Sequence, residues 1–283
     1  MPFAAIDGIK THYQVLGSGP PLLMYSPGGF NATVDAWRGQ GVYAKVKFLE
    51  HLPAKYTCII FDRRECGRSS GRVERITWTD YVAQGKGLLD HLGIERAHLM
   101  GGCMGVSCAA AFASMYPESV QSLVLFWPIG GPKYRVFTQA RFATHFAYAA
   151  ENGLSAVVDL VQKHATSFSG DARAGPWASL IGTDSSFRDT YLKQDLESYK
   201  LIVTAIAREM FGPDSVPGPE PEDLMRLDVP GLVIPGRDLF HGTSAAWYLA
   251  ECLPNADYWD VPPELQTEAV TSERILEFLK NQS

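Results

Sequence analysis

Gly101-Gly102-Cys103-Met104-Gly105 follows a short apolar run at 98–100 and precedes an alanine-rich helical pattern, and the fold is decided by how this stretch turns. A chain that passes abruptly from strand to helix holds its central residue in a strained conformation, which pushes that side chain out of the sheet's edge; small neighbours make the turn sterically feasible. Here the central residue is Cys103, where such a nucleophile elbow usually carries serine. The thiol would sit at a helix N-terminus, where the helix dipole favours the thiolate.

Outward from the elbow, strand and helix signals alternate. Residues 11–15, 21–25, 58–61 and 98–100 read as short, largely buried strands, with turn signals at Gly17-Ser18-Gly19-Pro20 and Pro27-Gly28-Gly29. Helical spacing appears around 42–51 and 79–92, then from the elbow to Met115, and a further buried strand follows at 122–127. Such alternation implies a parallel sheet wrapped by helices, so the fold class is α/β. After Gly130 the chain reads as helices with aromatic faces until about Arg226. Strand character resumes at 229–234 and 256–261, with helices predicted at 244–253 and 272–279. The expected organisation is therefore a core of residues 1–130 and 227–283 with a helical cap at 131–226, bounded by a Pro/Gly/acidic linker at 212–222.

With 283 residues, 46% of them apolar and 20% charged, the chain can bury a sizeable core and is not largely disordered. A net charge of -6 and the lack of any Lys/Arg run argue against nucleic acid or an anionic membrane as partner. No signal-peptide or membrane-spanning pattern appears, so a soluble, cytoplasmic protein is expected, with a small molecule as its partner and room for a homo-oligomer. The five cysteines (Cys58, Cys66, Cys103, Cys108, Cys252) are odd in number and form no C-x-x-C pair, which suggests neither a disulfide framework nor a zinc cluster. No metal-ligand spacing or phosphate-binding glycine turn is present, and no cofactor is expected.

The order of these pieces resembles the α/β-hydrolase superfamily. Phe61-Asp62-Arg63-Arg64-Glu65-Cys66-Gly67-Arg68-Ser69 and the run from His91 to Gly105 look most like its prolyl-iminopeptidase-like branch. A cysteine at the elbow is similar to dienelactone hydrolases, although the rest of the chain is not. The resemblance implies Cys103 as nucleophile, with an oxyanion hole from the Met104 N–H and the Gly28-Gly29-Phe30 loop, contributed there by Gly29 and Phe30. It also implies Asp238, in Pro235-Gly236-Arg237-Asp238, as the acid. Asp238 can alternatively cap the following helix.

The family's histidine follows the last strand, but this chain has Pro262-Pro263-Glu264 there and no histidine after His241. His241, three residues past Asp238, is the candidate replacement, oriented by Asp238 or Glu264. A Cys/His pair suits acyl transfer because a neighbouring imidazolium lowers the thiol pKa. Trp127, Phe142 and His145 are candidates for substrate contact. The expected activity is cofactor-independent hydrolysis of a small ester, lactone, amide or activated ketone through a Cys103 thioester. The alternatives are a cofactor-free lyase and a non-catalytic ligand-binding protein on the same fold.

Overall fold

The computed structural model describes residues 2–212 and 216–282. Eight strands form one sheet: β1 (Phe3–Ile6), β2 (Ile9–Leu16), β3 (Pro21–Tyr25), β4 (Thr57–Phe61), β5 (Ala97–Gly102), β6 (Val120–Phe126), β7 (Gly231–Ile234) and β8 (Ala256–Tyr258). Their spatial order is β1-β2-β4-β3-β5-β6-β7-β8. The β1/β2 and β2/β4 pairings are antiparallel and the rest are parallel. Central strands buried on both faces should be continuously apolar, and Leu22-Leu23-Met24-Tyr25 of β3 are all buried. The chain leaves β3 for β4 on one side and reaches β5 on the other. That reversal of strand order opens a crevice at the carboxyl ends of β3 and β5, where ligands meet open α/β sheets.

Helix α1 (Trp78–His91) starts on a reciprocal cap between Thr77 and Asp80, and α2 (Met104–Met115) follows the elbow. Between β6 and β7 the chain forms a helical insertion: α3 (Pro132–His164), α4 (Ala178–Thr183), α5 (Ser185–Leu192) and α6 (Leu196–Met210). Glycine permits a sharp break in α3 at Gly153, where φ is 80°. The sheet then resumes, with α7 (Thr243–Cys252) before β8 and α8 (Glu268–Lys280) closing the chain. Among the described residues, no helix is long and apolar enough to cross a membrane.

Differences from the sequence reading have local causes. The helix predicted at 42–51 is split into Gly41–Val46 and Phe48–His51, because Lys47 adopts a left-handed conformation between them. The strand predicted from 229 begins at Gly231, after Pro230, which has no N–H for a ladder. The strand predicted to 261 ends at Tyr258. Within the proposed linker, residues 213–215 lie outside those described, and Pro221–Leu224 is a helical turn.

Candidate active site

Cys103 joins β5 to α2 with φ 54° and ψ -124°, a conformation that L-residues adopt only under strain of about 1–3 kcal/mol. Its neighbours explain how the chain tolerates this. A Cβ on Gly101 would come within 2.3 Å of the Gly105 carbonyl oxygen, and one on Gly105 within 2.1 Å of the Tyr25 carbonyl oxygen. Glycine at both positions lets α2 close directly onto β3 and β5. The Cys103 N–H donates to the Phe126 carbonyl at 3.2 Å, which anchors the turn to β6.

The loop after β3 lies beside the thiol, turned by positive φ at Gly28 and Gly29. Arg63 holds this loop from below: its guanidinium donates to the Gly29 carbonyl and lies 4.2 Å from the centre of the Tyr81 ring. Asp62 fixes the adjoining loops, accepting from Val34 N–H at 2.7 Å, Arg68 N–H at 2.8 Å and the His12 ring at 2.9 Å. Charge-assisted bonds of this kind suit a scaffold under a strained turn.

The loop after β7 brings up the imidazole. Asp238 Oδ1 accepts from the backbone N–H groups of Phe240 and His241, each at 2.8 Å, and both carboxylate oxygens lie 2.9 Å from His241 Nδ1. One carboxylate therefore closes the loop and orients the ring within it. It does not cap α7, whose N-cap is Gly242 without a side-chain bond. Gly130 N–H donates to the Phe240 carbonyl at 3.1 Å, tying this loop to the chain leaving β6.

His241 Nε2 is buried without a hydrogen-bond partner of regular geometry, yet it faces Cys103 closely enough for each group to act on the other's ionisation. Both side chains line one cavity. Burial alone would push the thiol up. The charge of His241 and the N–H groups of Gly28 and Met104 outweigh it and hold Cys103 below the ordinary thiol value. Burial likewise disfavours the imidazolium, but the Cys103 thiolate and Asp238 raise His241 to about 9. Desolvation opposes the Asp238 carboxylate as well, and its bonds to His241 and the loop N–H groups bring it down to about 2. The other four thiols shift the opposite way, with burial pushing Cys58 and Cys66 up to about 12.

Comparison with known proteins bears on the fold. The family described as the alpha/beta hydrolase fold matches residues 21–151, a stretch that contains the elbow and ends before Asp238. The chain has the α/β-hydrolase fold. A proline iminopeptidase of Xanthomonas citri is 28% identical over 230 residues, covering 73% of each chain. A 2-hydroxy-6-oxononadienedioate/2-hydroxy-6-oxononatrienedioate hydrolase of Paraburkholderia phymatum is 36% identical over 129 residues, or 44% of this chain and 42% of that one. The chain spans between 32% and 43% of the length of the first curated relatives it matches. Among solved structures, an enol-lactonase from Burkholderia xenovorans aligns with a TM-score of 0.62 at 21% identity, covering 99% of this chain and 100% of that one.

Within this fold, four expected site residues lie away from the cavity. Glu264 is exposed and forms no hydrogen bond or ion pair among the described residues, and the carboxylate that reaches His241 is that of Asp238. Trp127 lines no part of the cavity. Held at φ 54°, its ring lies 5.3 Å from that of His241 and its indole N–H donates to Gln266 Oε1 at 2.6 Å, so it supports the imidazole from behind. Phe142 is buried one layer back, against Phe168 at 5.1 Å. His145 is fully buried between the Arg173 carbonyl at 2.8 Å and the Tyr199 hydroxyl at 2.5 Å, and burial drives its pKa down to about 4.

Gln266 was not anticipated. It is fully buried, and its Nε2 donates to the carbonyls of Pro235 at 2.8 Å and Val261 at 3.0 Å. A neutral amide thus ties the loop after β8, where the resemblance places histidine, to the strand ends that carry Trp127 and Asp238. No local pattern marked it, since its partners come from distant segments.

A cavity of about 330 Å³ lies over the thiol, at the small end for ligand sites. Gly28, Gly29, Phe30, Met104, Phe240 and His241 form its floor, so Gly29, Phe30 and Met104 of the expected oxyanion hole are at the thiol. Tyr134, Phe137, Thr138 and Arg141 of α3 contribute from above, along with Ser167, Phe168 and Ser169 of the loop after α3 and Phe211.

Two results are expected of this geometry. Because only Cys103 is shifted downward, iodoacetamide should modify it first and continue to do so at pH values where a free thiol is protonated. Peptide mapping of the adduct checks this, and first labelling at Cys66 or Cys252 would contradict it. Substituting Gly236→Ala should displace the imidazole, since the new Cβ would come within 2.6 Å of His241 Cβ and 2.9 Å of the Trp127 ring. A displacement near 1 Å typically costs about 100-fold in rate, so kcat should fall to that extent while circular dichroism stays native.

Proposed function

We propose that this α/β-hydrolase fold protein is a cofactor-independent hydrolase of a small carbonyl compound and works through a thioester on Cys103. What supports the assignment is one constellation: a thiol on a strained elbow, facing an imidazole whose other nitrogen is held by Asp238. The hydrolase name of a relative fits the hydrolytic part of this reading. On this proposal, residues 131–226 are a cap that sets specificity from above the thiol.

The Cys103 thiolate attacks the carbonyl carbon, forming the C–S bond and an oxyanion. The N–H groups at Met104 and in the Gly28–Phe30 loop would receive that charge, and a single such donor is typically worth 100- to 1,000-fold in rate. His241 gives its Nε2 proton to the leaving group as the C–X bond breaks, leaving a thioester. The now neutral imidazole takes a proton from water, hydroxide adds to the thioester carbonyl, and the C–S bond breaks to release the acid and restore the ion pair. Asp238 keeps Nδ1 protonated throughout, so Nε2 is the nitrogen that exchanges protons.

Turnover of 4-nitrophenyl acetate in isotopically labelled water tests the proposal. Hydrolysis places one labelled oxygen in the acetate and gives a burst of nitrophenol equal to the enzyme concentration. Release of nitrophenol without labelled acid, or no release above the rate of a free thiol, would remove the hydrolase assignment in favour of lyase or ligand-binding chemistry.

A further inference from the structure

Arg141 is the charged group that the acyl-transfer chemistry leaves unused. It lies on one face of α3 with Tyr134, Phe137 and Thr138, at spacings of three, four and seven residues, and lines the same cavity as Cys103. Its guanidinium donates to the Phe168 carbonyl and lies 5.3 Å from the Phe137 ring and 5.4 Å from the Phe168 ring. Of its five N–H donors, the rest have no protein partner among the described residues. The carboxylate that acts on it, Asp171, is already bound to Arg173 at 2.6 Å. No carboxylate lines the cavity among the described residues. A part-buried cation among aromatic rings is costly to desolvate unless a counter-ion arrives.

We infer that Arg141 binds a carboxylate on the substrate, so that the natural substrate is an organic acid with its reacting carbonyl at Cys103 and an apolar or aromatic body between. Seven residues of helix separate Arg141 from Tyr134 by about 10 Å along the axis. That asks for an elongated molecule rather than a short acid. Its middle would pack against Phe137, Phe168 and Phe211, and its carboxylate would meet the planar donor fork, with Ser167 and Ser169 lining the same cavity.

The inference takes the position of the reacting carbonyl from the hydrolase proposal, but its test needs no turnover. Cys103 is alkylated with 4-(iodoacetamido)benzoate and with uncharged iodoacetanilide, each rate divided by that of a small free thiol. The carboxylated reagent should react at least about tenfold faster in the wild type, as a charge-assisted contact implies. The ratio should collapse toward one in Arg141→Gln and fall between the two in Arg141→Lys, which keeps the charge and loses the fork. Equal rates in the wild type, or an unchanged ratio in Arg141→Gln, would overturn the inference. If Arg141→Gln does not fold, protection of wild-type Cys103 against iodoacetanilide decides. 4-Phenylbutyrate should protect and 4-phenylbutyramide should not, and equal protection would overturn the inference. An anion preference without ester turnover would remove the hydrolase proposal and leave the carboxylate site standing.

Discussion

Cys103→Ala should reduce turnover by roughly 10⁴- to 10⁶-fold, the scale on which loss of a nucleophile is felt when it acts as a unit with its base. Alanine keeps the demand for positive φ at the elbow and removes only one sulfur from a half-buried residue, so the fold should survive with a small change in Tm. Binding of an unreactive substrate analogue should also persist, because the aromatic and Arg141 walls of the cavity are untouched. Calorimetry with the analogue, beside kcat for an ester, separates these effects. Retention of wild-type turnover by Cys103→Ala would place the nucleophile elsewhere.

His241→Ala should lower kcat by about 10²- to 10⁴-fold, the usual contribution of a positioned acid–base group. KM should change less, since His241 acts on protons rather than on the substrate's body. The variant should also shift the pH dependence of Cys103 alkylation. The imidazolium charge favours the thiolate, so its loss raises the thiol pKa and moves the profile toward higher pH. In the wild type, activity should fall at low pH as the thiolate is protonated. It should fall again as pH rises through about 9, where His241 loses the proton that the leaving group requires. An alanine variant with unchanged kcat and an unchanged alkylation profile would show that the base lies elsewhere.

The core of the fold was legible because its signals are local. The apolar run of β3 and the thiol between glycines can be read within a few residues, and the structure keeps both in place. The juxtaposition of His241 with Asp238 was accessible because the two share one tight loop. What escaped was decided by contacts between distant segments. Gln266 has meaning only beside Trp127 and Pro235, and Trp127 was misassigned because its strand-end position says nothing of the positive φ that turns its ring under His241. On α3 the helical period grouped the aromatic face correctly. It could not say where along that face the cavity ends, so Arg141 lines it while His145, one turn on, is locked against Tyr199. The β1 strand was missed as well, its four residues being too short for a clear alternating pattern.

The most direct test of the central claim is to catch the covalent intermediate. Wild-type protein mixed with 4-nitrophenyl acetate, quenched in acid within the burst and digested, should yield the peptide containing Cys103 with the mass of one acetyl group added. That mass should disappear on treatment with hydroxylamine at neutral pH, as a thioester does. Acetyl found on another residue, or a burst that leaves the Cys103 peptide unmodified, would contradict the account.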